Sequence, residues 1–149
     1  MNLKKAYCYV FYKFYKVLES INGNFWSDWK AIATIMGLEL FLIASIYLYY
    51  LAYFDPSVHK LNYGLVIPIL LIGIIVPNYY IFEFQDRWKK YVKEFDKWSK
   101  KKNRTGGLIV WPITILIVIN YIYSIYVYQH SNYFFEMKLY NNVHHIKWN

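Results

Sequence analysis

Two uninterrupted apolar runs constrain the fold of this chain more than any other feature of its sequence. The runs Leu61–Phe82 and Thr105–Tyr128 hold no charged residue, and a third run, residues 31–54, is interrupted only by Glu39. Each is long enough to cross ~30 Å of hydrocarbon, which takes ~20 residues as a helix. Because a backbone in lipid must satisfy its own hydrogen bonds, all three runs are predicted to be helices. Span one is assigned to 31–54, span two to 61–83 and span three to 107–128.

The composition agrees with a membrane protein and excludes several other classes. Of the 149 residues, 58% are hydrophobic and 17% charged, whereas about a quarter of the residues in a soluble domain are charged. The mean hydropathy is only +0.16 because the chain holds 18 Tyr and 6 Trp, residues that favour the membrane–water boundary. A disordered tail, a disulfide-stapled secreted module and a multidomain enzyme are therefore excluded.

The basic residues predict how the spans are oriented. Five of the 17 Lys and Arg residues precede span one and nine lie between spans two and three, and the positive-inside rule assigns both segments to the cytoplasm. The N-terminus is therefore predicted to lie inside a bacterial cytoplasmic membrane and the C-terminus outside, with residues 129–149 as an outer tail. Lys13 and Lys16 interrupt any signal-peptide core, so span one is expected to be an uncleaved anchor.

Residues 1–29 are predicted to contain an amphipathic helix on the cytoplasmic side. Apolar residues recur there at helical spacing opposite lysines, which is typical of a helix that lies on a membrane surface. The apolar set is Tyr7, Val10, Phe11, Phe14, Val17, Leu18 and Ile21.

Residues 84–104 are predicted to form a second amphipathic helix that continues span two, with Lys90–Glu94 and Asp96–Lys100 as supporting ion pairs. Its basic face consists of Arg87, Lys89, Lys90, Lys93, Lys97, Lys100, Lys101, Lys102 and Arg104. Two interpretations of this segment stay open. It binds anionic lipid headgroups or a partner, or the two amphipathic helices pack on each other. Nucleic-acid binding is disfavoured, because the topology already explains the charge.

The polar residues inside the predicted spans that are of most interest are Glu39, Asn78, Asn120 and Ser124. Counted from the cytoplasmic ends, Glu39 lies ~13 Å deep, Asn78 ~9 Å and Asn120 ~19 Å. A carboxylate at that depth costs at least ~2.5 kcal/mol and must be protonated, paired or hydrated. The first three are predicted to share a middle band, with Ser124 one turn beyond. Interhelical hydrogen bonding is the favoured interpretation, and a proton or cation relay is the alternative.

Span two carries two glycine–proline pairs, Gly64 with Pro68 and Gly73 with Pro77. Proline removes a backbone donor and collides with the carbonyl four residues earlier, so the span is predicted to bend at two hinge points. On span one, the small residues at 33 and 37 are predicted to form a close-contact face for another helix.

The sequence indicates neither a metal site nor a cofactor. Cys8 is the single cysteine, so no intramolecular disulfide or cysteine-based zinc site forms, and its apolar helical surroundings indicate a packed thiol. The adjacent His144 and His145 diverge on any regular element, and no third ligand is suggested nearby. No nucleophile elbow, phosphate loop or zinc-protease motif is present, so the chain is predicted not to be an enzyme.

Six short stretches carry a resemblance to a group of membrane proteins. They are Phe25–Ala31, Leu38–Glu39, Trp88–Tyr91, Glu94–Phe95, Lys101–Asn103 and Gly106–Gly107. On these stretches the chain resembles an uncharacterised group of small bacterial three-span membrane proteins, over the part up to Gln129. Such proteins look similar to those encoded beside large polymorphic toxins, so the resemblance implies an immunity or toxin-accessory role.

The expected fold is an all-α membrane protein with three transmembrane helices, an N-terminal amphipathic helix and an amphipathic helix between spans two and three. The expected function is that of a non-enzymatic inner-membrane accessory protein, such as an immunity protein that binds an antibacterial toxin. Two alternatives stay open: an ion- or proton-conducting subunit in which copies assemble around Glu39, and a defence effector that perturbs the membrane. The expected partners are anionic lipids, a toxin or membrane complex, and a second copy of the chain.

Overall fold

The computed structural model describes residues 3–23, 25–53 and 63–145, with side chains for all of these except Asn22, Tyr63 and residues 132–145. The predicted loop around Lys60, the predicted ends of spans one and two at 54 and 61–62, and residues 146–149 lie outside the described residues.

Helices make up nearly all of the described chain, and no strand occurs in it. The helices are α1 (Leu3–Asn22), α2 (Ser27–Tyr53), α3 (Tyr63–Asn78), α4 (Arg87–Asp96) and α5 (Lys100–His145). A π-helical turn, Tyr79–Glu83, and a 3-10 turn, Phe84–Asp86, join α3 to α4.

Three stretches of helix are long and apolar enough to cross a membrane. They are Ser27–Tyr53, Gly64–Asp96 (which includes the two turns and α4) and Lys100–Ser131. Large apolar side chains on them, such as Ile46, Leu65 and Leu116, are exposed, and exposed apolar surface of this extent is typical of membrane or protein interaction sites. The prediction of an all-helical protein with three helices able to span a membrane is confirmed at this level.

Two helices begin earlier than the predicted spans. α2 begins at Ser27 rather than 31, directly after Trp26, whose backbone φ is +55°. Ser27 Oγ donates to the Gly23 carbonyl at 2.6 Å across this turn. α5 begins at Lys100 rather than 107 and continues to His145, through residues predicted as an outer tail. No proline or glycine occurs after residue 112, so the local sequence holds no helix breaker there.

The segment predicted as one helix over residues 84–104 is divided in the structure. Gln85 and Asp86 have backbone φ of +58° and +54°, in the left-handed region, and they separate span two from α4. α4 then ends at Asp96, and residues 100–104 form the first turns of α5. Because left-handed residues cannot continue a right-handed helix, span two does not run directly into the basic helix.

The core lies at the basic end of the molecule, which is the end that holds α1, α4 and the first turns of α5. Its largest fully buried side chains are aromatic: Phe11 of α1, Phe82 of the π-helical turn and Phe95 of α4 are each 0% exposed. The rings of Phe11 and Phe82 stack with centroids 4.5 Å apart, and Phe95 meets Tyr9 edge-on at 5.1 Å. Since aromatic side chains bury a large apolar area, these contacts hold α1 against the rest of the molecule.

α2 and α5 run parallel to each other, whereas α3 is only lightly packed. Phe41 of α2 stacks on Tyr121 of α5 with centroids 4.6 Å apart, and farther along Ser131 Oγ donates to the Ala52 carbonyl at 2.6 Å. Among the described side chains of α3, only two are buried, and they are Ile74 and Asn78. The half of α3 from residue 64 to residue 73 is therefore largely uncovered by the rest of the chain.

Candidate functional site

The structure brings Glu39 and Asn78 together and adds a third residue, Tyr7. Tyr7 Oη lies 2.7 Å from Glu39 Oε1 and 2.6 Å from Asn78 Oδ1. Asn78 Nδ2 donates to Glu39 Oε2 at 2.8 Å. The three side chains form a closed ring of hydrogen bonds, the Tyr7–Glu39–Asn78 ring, which joins α1, α2 and α3.

The number of available protons decides whether this ring of hydrogen bonds is complete. Tyr7 has a single hydroxyl proton, so it donates to Glu39 or to Asn78 but not to both at once. When Glu39 carries a proton on Oε1, it donates to Tyr7, Tyr7 donates to Asn78, and Asn78 donates back to Glu39. The ring is complete for the protonated acid and one bond short for the carboxylate.

Tyr7 reaches the ring from α1, where packing fixes its position. Its aromatic ring stacks on Phe82 with centroids 5.5 Å apart. Burial raises the pKa of the Tyr7 hydroxyl well above its ordinary value, so the hydroxyl keeps its proton. The sequence places Tyr7 on the apolar face of α1. Helical spacing alone does not indicate that the Tyr7 hydroxyl lies next to the Glu39 carboxyl group.

Asn78 is presented to the ring by an irregular stretch of helix. It follows Pro77, precedes the π-helical turn and is 1% exposed. Its Nδ2 also donates to the Ile74 carbonyl at 3.0 Å. A proline interrupts the regular hydrogen-bond ladder of a helix, and π-helical turns frequently occur at functional sites. This irregularity is local to the point where α3 approaches Glu39.

Glu39 lies in the wall between two grooves. The first, called the α5 groove, has a volume of about 450 Å³ and is bounded by α1, α2 and α5. The second, called the α3 groove, has a volume of about 760 Å³ and is bounded by α1, α2 and α3. Most of the side chains that line both grooves are apolar. The Glu39 carboxyl group therefore borders both grooves, which are otherwise mostly apolar.

Asn120 and Ser124 do not join the ring. Asn120 Oδ1 accepts a hydrogen bond from Tyr49 Oη at 3.2 Å, and Tyr49 lies ten residues beyond Glu39, or ~15 Å along α2. Ser124 is fully buried and donates to the Tyr121 carbonyl at 2.7 Å. The polar residues predicted to share one middle band therefore lie at two separate levels along the bundle, with Glu39 and Asn78 at one and Asn120 at the other. Depth counted along a span does not show how far the neighbouring helix is rotated or shifted.

The two predicted hinges of span two differ from each other. Pro68 and Pro77 both lie inside α3, but helical geometry continues past Pro68 and changes to a π-helical turn just after Pro77. Gly64 is exposed, and a Cβ atom on Gly73 would meet nothing within 4 Å. The same is true of Gly37 on span one, so the predicted close-contact face there is not used within this chain.

The carboxylates of α4 pair with α1 rather than within their own helix. Glu94 forms an ion pair with Lys5, and Asp96 lies 3.2 Å from Lys16 Nζ. Tyr12 Oη also donates to Asp96 at 2.9 Å. The predicted pairs within residues 90–100 are replaced because α1 lies alongside α4. Of the two interpretations left open by the sequence, mutual packing of the amphipathic helices is present in the structure.

The basic face remains available on the outside of this contact. Arg87 is half-buried, with its guanidinium 4.8 Å from the Tyr80 ring centroid and 5.1 Å from that of Phe84. Lys102 Nζ lies 3.7 Å from the Trp98 ring centroid, a cation–π contact. The exposed members of the set are Lys89, Lys90, Lys93, Lys97, Lys100, Lys101, Lys102 and Arg104.

Cys8 is a packed thiol, as its sequence setting indicates. The side chain is buried, and burial raises the pKa of the thiol, which disfavours the reactive thiolate. Within the described residues, no group of three or more His, Cys, Asp or Glu side chains is placed to hold a metal ion. The side chains of His144 and His145 lie outside the described set.

These observations define a small, all-helical protein with three helices able to cross a membrane and a carboxyl-centred hydrogen-bond ring where α1, α2 and α3 meet. No protein-family model, curated protein or solved structure matches the chain. Its function is therefore inferred from the ring, the two grooves and the exposed helix faces.

Proposed function

We propose that this protein is a non-enzymatic accessory protein of a bacterial inner membrane and acts by binding another membrane protein. The proposal rests on the contrast between the polar ring and the surface of α3. The polar groups of the Tyr7–Glu39–Asn78 ring are satisfied by one another, whereas half of α3 is largely uncovered. Such a chain offers a binding surface rather than a reactive group.

The proposed orientation has the N-terminus in the cytoplasm and the C-terminus outside. It is supported by the exposed cations of the basic end, because basic residues near the ends of spans are retained on the cytoplasmic side. In this orientation α1 and α4 form a cytoplasmic cap, and the uncovered half of α3 lies in the outer half of the membrane.

The proposed contact surface is one side of α3, called the α3 face. Its four side chains recur at helical spacing on the side opposite Ile74 and Asn78, and each is more than half exposed. They are Leu65, Ile69, Ile72 and Val76. A helix of a partner protein that packs on this face gains van der Waals contact along two to three turns.

The proposed partner is an antibacterial toxin, which makes the protein an immunity protein. The choice of partner is supported by the resemblance to small three-span proteins encoded beside polymorphic toxins. Binding to the toxin within the membrane, or to its periplasmic surface, would prevent it from acting on the producing cell.

Co-expression with the product of the adjacent gene tests this proposal. The full-length chain is expected to protect cells that express that product and to co-purify with it in mild detergent. Ile69→Trp on the α3 face is expected to reduce both effects. Ile122→Trp on α5 is the matched control, because Ile122 is similarly exposed, at 60% against 67%, but lies on another helix. Absence of protection, or equal effects of the two variants, contradicts the proposal.

A second candidate function, proton or ion conduction, is favoured by one observation: the Glu39 carboxyl group borders both grooves. A carboxyl group with access on two sides is suited to pass protons. This candidate predicts a pH-dependent current in liposomes that contain the purified protein, and loss of that current in Glu39→Gln. Protection by Glu39→Gln without any current in the wild-type protein would favour binding instead.

A further inference from the structure

The α5 groove combines an apolar interior with a cation at one end, which is the chemistry of a lipid site. We propose that it binds one acyl chain of an anionic phospholipid, with the lipid phosphate held by Lys102. This site is separate from the α3 face, so it does not depend on the proposed protein partner.

The interior of the groove is formed by side chains from three helices. Leu38 and Leu42 of α2 face Ile109, Ile113 and Ile117 of α5, and Val10 of α1 borders the same space. Its volume of about 450 Å³ lies within the ~300–1,000 Å³ typical of ligand sites. The hydroxyls of Thr105 and Thr114, which also line the groove, donate to backbone carbonyls of α5. The Glu39 carboxyl group also borders the groove, but Tyr7 and Asn78 engage its two oxygens. An occupant therefore meets a surface that is mostly apolar.

The length of the groove matches one leaflet of a membrane. From Thr105 to Ile117, α5 rises ~18 Å, and the hydrocarbon of one leaflet is about half of ~30 Å. An acyl chain that enters beside Thr105 therefore extends to about the middle of the bilayer. This register agrees with the sequence, in which basic residues end at Arg104 and the apolar run begins directly after it.

Charge complementarity selects the headgroup. Lys102 and Trp98 border the groove at its basic end, and the Lys102 ammonium is held 3.7 Å from the Trp98 ring centroid. Trp98 in turn stacks on the buried Tyr9 at 5.1 Å, so the aromatic support is fixed. Among the described residues, no carboxylate lies within ion-pair distance of Lys102. Its charge is therefore available to a phosphate, and the neighbouring Lys101 and Arg104 add to the attraction for a lipid with net negative charge.

Lipid retention by the purified full-length protein tests the proposal. The protein is reconstituted in vesicles of phosphatidylcholine with one-fifth phosphatidylglycerol, extracted in mild detergent and examined by native mass spectrometry. We expect one retained phosphatidylglycerol per chain. Lys102→Gln is expected to lower retention about fivefold, which corresponds to the attraction between one basic residue and an anionic lipid surface. Lys101→Gln is the control and is expected to have a smaller effect, because the Lys101 side chain does not line the groove.

A second pair of variants tests the acyl-chain part of the site. Ile113→Trp fills the groove and is expected to abolish specific retention. Leu116→Trp adds the same bulk on an exposed part of α5 that does not line the groove and is expected to leave retention unchanged. Equal retention of phosphatidylcholine and phosphatidylglycerol, or equal effects within both variant pairs, would overturn the proposal. Preferential retention of added free fatty acid would also overturn it, because the site would then not require a phospholipid.

Discussion

At the scale of the residue, the Glu39 carboxyl group has a hydrogen-bond partner on each oxygen. Glu39→Gln keeps an acceptor oxygen and supplies an N–H donor in place of the acid proton, so the ring is preserved. Glu39→Leu leaves Tyr7 and Asn78 each without one partner, and a buried polar group without its partner costs ~1–3 kcal/mol. We expect Glu39→Gln to unfold near the wild-type denaturant concentration and Glu39→Leu at a clearly lower one, measured by circular dichroism in detergent micelles.

A matched pair of asparagines provides the control. Asn78 makes bonds to Glu39, Tyr7 and the Ile74 carbonyl, whereas Asn120 has one described bond, from Tyr49. Asn78→Leu should therefore destabilise the protein more than Asn120→Leu. If the two variants unfold together, or if Glu39→Gln is as unstable as Glu39→Leu, the ring does not hold the helices as described.

At Gly106 the packing of Tyr9 leaves no room for a side chain. A Cβ atom there would overlap the ring of Tyr9, which is 2% exposed and packed between Phe95 and Trp98. Gly106→Ala is expected to cost ~1–3 kcal/mol, as overpacking does. Gly37→Ala, at a site with nothing within 4 Å, should be neutral or stabilising by up to ~1 kcal/mol. Denaturant unfolding of both variants checks this, and a stable Gly106→Ala protein would contradict the close approach of α1 to α5.

At the scale of the element, α1 is sensitive to alkali because its tyrosines donate to carboxylates. Tyr15 Oη donates to Glu19 at 3.0 Å, and burial, followed by that bond, raises the pKa of Tyr15 from 10.0 to about 12. The unfolded chain therefore releases this proton at a lower pH than the folded chain. The stabilisation is complete below pH 10.0 and is lost as the pH rises toward about 12.

The expected measurement is a fall in the denaturation midpoint between these two pH values, with a shallower fall in Tyr15→Phe. Burial and the bond to Asp96 raise the pKa of Tyr12 in the same direction, so Tyr12→Phe serves as a second test. A midpoint in the wild-type protein that does not change over this interval would contradict the burial of these two tyrosine side chains.

The elements also show which parts of the structure the sequence can predict. Long apolar runs predict the three helices because length and composition suffice, and helical spacing predicts the apolar face of α1. The break at Gln85 and Asp86 has no glycine or proline to indicate it. It arises where α4 must turn to pack under α1.

The candidate site was predictable only in part for a related reason. Polar side chains inside apolar spans identify Glu39 and Asn78. Because the two residues were predicted at similar depths in their spans, a contact between them could be expected. The contribution of Tyr7 depends on α1 lying against the spans, and the separation of Asn120 depends on how α5 packs beside α2. Both are consequences of tertiary packing, which periodicity in a single helix does not encode.

At the scale of the whole molecule, the basic end and the far end are expected on opposite sides of the membrane. In a Cys8→Ala background, Lys93→Cys and His130→Cys each place one thiol at an exposed position. A membrane-impermeant maleimide should label His130→Cys in cells with an intact inner membrane and Lys93→Cys only after permeabilisation. The reverse pattern would invert the proposed orientation, and labelling of both in intact cells would contradict a separation by the membrane.

The hydrogen-bond ring also has a consequence for the order of events during synthesis. Tyr7 and Asn78 are 71 residues apart, and Glu39 and Asn78 are 39 apart. At about 5–20 residues per second, the ribosome adds the last member of the ring about 2–8 s after Glu39. The contacts of the earliest-made helix are therefore completed late, and Glu39 is synthesised before its amide partner exists. During this interval the Glu39 carboxyl group lacks the amide partner that it has in the folded protein.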